Sequence, residues 1–256
     1  MKTLFLAWGL HRSDISIESN CTHWFPIVRL DGEPEQSWFR FVYTRGVFAA
    51  QAQTGFQPLA AFPRLGDVYE SRELFSLFQN RLISPKREDY AEYLDSLNLS
   101  PEQADPFGIL AVSGGSKQTD NLEVFPELQT SRDGSFSCRF FLQGWDYLDV
   151  SAQDQLQHLK PDESLRISVG LNHHATGPAV ELHTTDDSLM LGWMPRYLAH
   201  DVARTVFSGL GHFRSRVVRV NQPPSPRSQR VLVELNGVFP AGYEPMKNEQ
   251  LHRLHS

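Results

Sequence analysis

Three aromatic side chains in the second half of the chain have the chemistry needed to hold unpaired bases. Trp145 and Tyr147 lie two residues apart, and Trp193 follows in a later segment. Stacking of a base on an aromatic face contributes about 1–3 kcal/mol. Asn172 and His173 lie between these aromatic residues and offer hydrogen bonds. The alternative is structural: aromatic residues usually fill the core of a small barrel, and at least one of Trp145 and Trp193 is then buried.

A run of arginines follows the last of these aromatic residues. Between Arg196 and Arg230 there are seven arginines, no lysine and one acid, Asp201, although the whole chain has a net charge of -6. A guanidinium can bind a phosphate through two parallel hydrogen bonds. The run therefore predicts phosphate binding, and a solvated charged face is the other interpretation. The arginines expected to neutralise phosphates are Arg196, Arg214, Arg216 and Arg219.

Patterns for catalysis and for metal binding are weak. The glycine-rich segment Ser113–Lys117 lacks the spacing of a phosphate-binding loop and a helix after it. His173, His174 and His183 are a tempting set of metal ligands, but surface positions explain them more simply. Asp186–Asp187 is typical of a hairpin turn. We therefore expect no catalytic residue, no metal and no cofactor.

The composition is that of a globular protein, with 40% hydrophobic and 21% charged residues. No apolar run approaches the roughly 20 residues that a membrane-spanning helix needs. Met1–Gly9 predicts a strand and not a signal peptide, because charged residues follow from His11 onward. Two distant cysteines, Cys21 and Cys138, predict neither a disulfide framework nor a structural zinc site. These features predict a cytoplasmic protein.

The first half alternates between strand and helix patterns. Trp38–Tyr43 is rich in aromatic and β-branched residues and predicts a strand. Apolar residues at helical spacing predict helices over Ser71–Leu82 and Arg87–Leu97. A third helix is interrupted and restarts at Asp105–Pro106. Leu122–Pro126 then predicts a short strand.

The second half predicts a compact β-barrel with one main helix, Tyr197–Ser208, across an end. A turn-rich linker places the domain boundary between residues 1–133 and 134–241. The polar residues 242–256 predict a flexible tail. The fold class is therefore α+β, with a mixed strand and helix domain before the small barrel. The predicted strands are Phe136–Leu142, Glu163–Val169, Ala179–Thr184, Met190–Trp193, Arg214–Asn221 and Arg230–Leu235, and Gln222–Ser228 is a loop.

Three blocks of the second half resemble HIRAN domains, small β-rich modules that bind nucleic acid. Phe140–Tyr147 resembles their opening strand, Leu171–Leu182 an Asn-rich loop running into a strand, and Leu191–Arg196 the turn before the family helix. The order and spacing of the blocks carry the resemblance, which covers most of residues 135–241. It implies a HIRAN-like barrel with a nucleic-acid partner.

Individual positions narrow what this resemblance implies. In helicase-associated HIRAN domains the ligand is the 3′ end of single-stranded DNA. Tyr147 matches the family's tyrosine and Asn172 its first loop asparagine. Asp146 stands where the family has an arginine, His173 where it has a second asparagine, and Thr176 near its aspartate. Because an acid repels a phosphate, we expect binding of nucleic acid without recognition of its end.

Four blocks of the first half resemble the small N-terminal subdomain of HipA-type toxin kinases. They are Phe41–Gly46, Phe56–Leu59, Leu74–Leu82 and Asp105–Leu110. In those kinases the subdomain is a docking and regulatory platform, and phosphoryl transfer resides in a larger domain. The resemblance therefore implies a protein partner and no catalysis. The residues expected to bind that partner are Phe75, Phe78, Asn80 and Arg81.

The leading hypothesis from the sequence is a cytoplasmic, non-enzymatic adaptor. Its second half binds nucleic acid, with single-stranded DNA or DNA ends favoured, and its first half binds a protein, in DNA repair or in defence against foreign DNA. A second hypothesis is an antitoxin-like regulator that captures a kinase or another effector through residues 38–110. A third is an accessory subunit of a nuclease or of a nucleotide hydrolase. Binding of labelled strands at two salt concentrations separates the first two.

Overall fold

The computed structural model describes residues 1–9, 24–117, 119–170 and 179–254. Both helices and strands are present, so the α+β class holds. The chain divides into two compact units. The first unit comprises residues 1–94, 99–127 and 247–256, and the second comprises residues 95–98 and 128–246. The chain thus passes from the first unit to the second after Glu127, a few residues before the predicted boundary.

An antiparallel sheet forms the centre of the first unit. Its described strands are β1 (Lys2–Gly9), β2 (Trp24–Glu33), β3 (Trp38–Tyr43), β4 (Val68–Ser71) and β5 (Leu122–Pro126). They lie in the order β4-β3-β2-β1-β5. The structure confirms β3 and β5 with the predicted bounds. Alternate residues of β3, Phe39, Phe41 and Tyr43, face the core, as expected from the two-residue period of a strand.

Four helices accompany the described strands of this sheet: α1 (Gly46–Thr54), α2 (Ser76–Gln79), α3 (Tyr90–Ser96) and α4 (Pro106–Ser113). The predicted restart at Asp105–Pro106 is confirmed, because the Asp105 carboxylate caps α4 by accepting a hydrogen bond from the Phe107 N–H at 3.0 Å. The predicted helix over Ser71–Leu82 is too long. Only Ser76–Gln79 is helical, and Ser71 ends β4 in register with Phe39.

Residues 247–256 are part of the first unit, and residues 242–246 are part of the second. They do not form the flexible tail that was predicted for residues 242–256. Arg253 donates a hydrogen bond to the buried carboxylate of Asp31 at 2.7 Å. The Leu254 N–H donates to the Tyr43 carbonyl at 3.0 Å, and Leu251 is buried. The polar composition of residues 242–256 was misleading, because buried Met246 and Leu251 and the ion pair of Arg253 with Asp31 anchor the chain.

A curled antiparallel sheet dominates the second unit. Its described strands are β6 (Ser135–Phe141), β7 (Ser164–Gly170), β8 (Ala179–His183), β9 (Met190–Trp193), β10 (His212–Val220) and β11 (Val231–Val238). They lie in the order β6-β11-β10-β7-β8-β9, and all six correspond to predicted strands. Gln143 and Trp193 exchange two backbone hydrogen bonds of 3.0 Å each. The chain after β6 therefore meets the opposite edge strand, β9.

Two helices lie in the described part of the second unit. The main helix α6 (Arg196–Ser208) is confirmed, while α5 (Val150–His158) was not predicted. The Asp149 carboxylate begins α5 by accepting a hydrogen bond from the Ala152 N–H at 2.8 Å, and Ala152 and Leu156 are buried. Across the described ranges of both units, no helix is both long enough and apolar enough to cross a membrane.

Candidate nucleic-acid interface

The structure brings the three predicted aromatic residues to one end of the second unit. After the Gln143–Trp193 pair, Gly144 adopts a φ of 88°, in the left-handed region, and starts the 3-10 turn Trp145–Tyr147. The Tyr147 ring lies 6.4 Å from the Trp193 ring at an interplanar angle of 76°. Backbone hydrogen bonds and ring contact therefore place Tyr147 beside Trp193.

The exposure of these rings decides whether they could meet a ligand. Tyr147 is 59% exposed. Trp145 and Trp193 are both half-buried, so neither is a plain core residue. A partly exposed ring held on a fixed backbone offers a stacking surface with little loss of conformational entropy on binding. We call Trp145, Tyr147 and Trp193 the aromatic site.

Two arginines that the sequence did not single out border the aromatic site. The guanidinium of Arg230 lies 5.8 Å from the centroid of the Trp145 ring, within the range of a cation–π contact. Its Nε donates to the carbonyl of Ser225 at 2.7 Å. Arg227 forms an ion pair with Asp146, the middle residue of the 3-10 turn. The acid in the middle of this turn thus has a cation against it.

The loop that carries these arginines is fixed at its base. The Asn221 N–H donates to the Arg230 carbonyl at 2.7 Å, and the Asn221 side chain donates to the Gln229 carbonyl at 2.8 Å. Asn221 is buried, and the 3-10 turn Arg227–Gln229 lies within the loop. The position of Arg227 and Arg230 is therefore set by the fold.

Two of the arginines predicted to bind phosphate are engaged by carboxylates. Arg216 donates to Glu234 at 2.7 and 3.0 Å and also pairs with Asp162. Arg219 pairs with Asp95. Burial alone would raise the pKa of Glu234, but hydrogen bonds from Arg216, Asn236 and Arg139 hold it below its ordinary value. These ion pairs hold the sheet surface and leave less positive charge than the sequence indicated.

Arg214 and Arg196 lie apart from those ion pairs. Arg214 is exposed, and within the described ranges its side chain has no ion pair. It faces Asn236 on β11, five residues from Val231, whose carbonyl binds the chain just before the aromatic site. Five residues of strand span about 17 Å. Arg196 is exposed at the start of α6, three residues after Trp193. Arg196 is therefore close to the aromatic site along the chain and Arg214 is distant.

The predicted residues Asn172 and His173 lie outside the described residues, as do His174 and Thr176. The strands β7 and β8, which are described, carry a polar network. His183 Nε2 lies 2.9 Å from Ser168 Oγ and 3.1 Å from Glu181 Oε2, and its Nδ1 lies 3.0 Å from the Ser188 carbonyl. A carbonyl oxygen can only accept, so Nδ1 carries a proton. Glu181 is paired in register with Trp193, which places this network beside the aromatic site.

The other candidates for chemistry have structural roles. The segment Ser113–Lys117 follows the C-terminus of α4, where the helix dipole disfavours an anion. Asp186–Asp187 lies in the turn between β8 and β9, as predicted. In the part of the chain that the structure describes, no three histidine, cysteine or acidic residues are grouped as metal ligands.

Two of the four residues predicted to bind a protein partner are buried in the first unit. Phe78 is 0% exposed, and the side chain of Arg81 is 1% exposed. Phe75 packs against Phe41 and is only partly exposed, which leaves Asn80 alone at the surface. Core packing therefore accounts for the helical spacing of Phe75 and Phe78, and partner binding by this group stays a prediction.

A cleft of about 600 Å³ is present elsewhere in the first unit. The C-terminal segment and α1 form its walls, and Arg45 pairs with Glu249 at its rim. Phe48 is 56% exposed there. The lining residues are Arg45, Phe48, Ala49, Leu65, Gly66, Glu249, Gln250 and Leu254.

The sequence matches no family model and no curated protein. Among solved structures, it is similar to a protein from Lactobacillus plantarum that was a structural genomics target. The identity is 16%, the match covers 41% of this chain and 100% of that chain, and the TM-score is 0.31. A likeness at that TM-score supports no conclusion about fold or function.

Proposed function

We propose that the second unit binds single-stranded nucleic acid at the aromatic site, with DNA the favoured ligand. The observation that carries the proposal is Tyr147, which is 59% exposed beside Trp193 and lies in a turn that backbone hydrogen bonds hold. Exposed, fixed aromatic faces bind unpaired bases of any sequence. The resemblance to HIRAN domains supports the same proposal, because Tyr147 occupies the position of the family's tyrosine.

Charge near the aromatic site determines how strongly such binding depends on salt. Arg227 and Arg230 are cations that lie against it, while Arg216 and Arg219 are already paired with carboxylates. For single strands, log K falls with log salt by about 0.7 for each phosphate neutralised. Because Arg227 is itself paired with Asp146, only Arg230 counts in full, and the predicted slope is about -0.7, much shallower than the whole arginine run would give. Stacking therefore contributes most of the affinity.

The wider biological role in this proposal is that of a non-enzymatic, cytoplasmic adaptor with a HIRAN-like second unit. Its first unit, which resembles the HipA subdomain, would hold a protein partner. Because Phe78 and Arg81 are buried, that partner must use other surface residues. A role in DNA repair or in defence against foreign DNA fits an adaptor of this kind.

Fluorescence anisotropy with labelled single strands tests the binding proposal. We expect Tyr147→Ala to weaken binding by about 1–3 kcal/mol for each stacked base lost. Phe48→Ala is the matched control, because Phe48 is an equally exposed aromatic residue in the first unit. Duplex DNA should bind more weakly, since its bases are already stacked. Absence of binding to any strand at about 50 mM salt would contradict the proposal.

A further inference from the structure

An exposed ion pair lies within the aromatic site. Asp146 is the residue between Trp145 and Tyr147, and Arg227 comes from a loop 81 residues further along the chain. The two side chains are 66% and 61% exposed, respectively. The Asp146 carboxylate is thus paired with Arg227, which lies beside the two potential stacking surfaces of Trp145 and Tyr147.

A phosphate and a carboxylate compete for the same face of a guanidinium. Both accept the parallel hydrogen bonds that its planar fork offers. An ion pair this exposed is weak, and its contribution corresponds to about fivefold or less in an equilibrium constant. A strand phosphate next to the stacked bases can therefore displace Asp146.

The loop stays in place when that pair opens. Asn221 holds the loop through the Arg230 and Gln229 carbonyls, and Arg230 packs on Trp145. None of these contacts involves Asp146 or the Arg227 guanidinium. Exchange of the partner of Arg227 then needs only side-chain rotation.

We propose that Arg227 is a phosphate-contacting residue of the aromatic site and that the strand phosphate replaces the Asp146 carboxylate on it. This inference rests on the proposed function. Asp146 then sets both the affinity and the salt dependence of binding, because each binding event must release its carboxylate into solvent. The released carboxylate gathers a counterion, which offsets one of the ions freed from the strand.

The test is a double-mutant cycle between Asp146→Asn and Arg227→Ala, measured by anisotropy with the same single strand. We expect Asp146→Asn to tighten binding by about twofold to fivefold and to steepen the salt slope by about 0.7. In the Arg227→Ala background the same substitution should change neither quantity. Asp154→Asn is the control, because it removes an exposed negative charge from α5 of the same unit.

Each outcome has one meaning. Tightening by Asp146→Asn that vanishes without Arg227 supports the exchange. Equal tightening in both backgrounds, or from Asp154→Asn as well, shows a general charge effect and overturns the proposal. The proposal is also overturned if Asp146→Asn binds the strand with the same affinity as the wild type. If neither the wild type nor Asp146→Asn binds any strand, the proposed function fails and the exchange fails with it.

Discussion

A β-carbon on Gly144 would lie 2.1 Å from Cε3 of Trp193, far inside the contact distance of two carbon atoms. Gly144 also has a φ of 88°, which side chains other than glycine rarely adopt. The glycine therefore lets the chain pass over the indole and enter the turn that holds Tyr147. The same two features make this residue a sensitive probe of the aromatic site.

We expect Gly144→Ala to destabilise the protein and to move Trp193. Backbone strain contributes about 1 kcal/mol, and the clash adds about 1–3 kcal/mol of overpacking. Urea denaturation followed by tryptophan fluorescence measures the change. Binding of single strands should fall with it, because Tyr147 loses its neighbour.

Gly209→Ala is the control for this prediction. Gly209 has a φ of 66°, and a β-carbon there would meet nothing within 4 Å. It carries the backbone strain without the clash, so we expect a loss of about 1 kcal/mol and unchanged binding. If the two variants were equally stable, the contact between Gly144 and Trp193 would not constrain the site.

Local features of the sequence were sufficient to locate most strands. Trp38–Tyr43 has the predicted bounds because its own aromatic and β-branched residues favour extended chain, and Met190–Trp193 also has the predicted bounds. The helix predicted over Ser71–Leu82 does not begin at Ser71, because Ser71 pairs with Phe39. Helical spacing does not reveal that strand partner. The helix α5 could have been predicted from Asp149 and the spacing of Ala152 and Leu156.

The chemistry of the candidate site was harder to predict because it depends on pairs distant in sequence. Glu234 lies 18 residues from Arg216, and Asp95 lies 124 residues from Arg219. Counting charge along the arginine run could not show that these cations were paired. The run also favoured β10, whereas Arg230 reaches Trp145 from a loop. Of the three aromatic residues that the sequence singled out, Tyr147 and Trp193 have rings that make contact.

The buried carboxylate of Asp31 predicts a loss of stability in acid. Arg29, Arg40 and Arg253 all pair with it in the first unit. Burial alone would raise the pKa of Asp31, but these arginines and a hydrogen bond from Thr3 hold it below its ordinary value. A lowered pKa contributes stability above the unfolded-state value near 4, and that contribution is lost as the pH falls through the folded-state value.

The variant Asp31→Asn isolates this contribution. At pH 7 it should lower the free energy of unfolding by about 3–5 kcal/mol, because Arg40 and Arg253 lose their carboxylate partner and Arg29 keeps only Glu127. The difference from the wild type should shrink as the pH falls below about 4. Urea denaturation across that range measures it. Glu249→Gln removes the exposed pair with Arg45 and should change stability by less than about 1 kcal/mol. If the difference in free energy of unfolding between the wild type and Asp31→Asn stayed constant with pH, the acid dependence could not be assigned to Asp31.

Core packing and partner binding predict different effects of mutations in the segment that resembles the HipA helix. Arg81 donates to the Gly115 carbonyl at 2.8 Å and pairs with Asp120. Since its side chain is 1% exposed, Arg81→Ala removes a buried cation, the donor to the Gly115 carbonyl and the ion pair with Asp120. We expect a loss of about 3–5 kcal/mol in urea denaturation. Asn80→Ala, at the exposed neighbour, should change stability by less than about 0.5 kcal/mol.

If Arg81→Ala were as stable as Asn80→Ala and lost a protein partner in pull-down experiments, the docking role first expected for Arg81 would be restored. If only stability falls, the spacing of apolar residues in this segment needs no partner to explain it, because Arg81 and the phenylalanines beside it pack in the first unit.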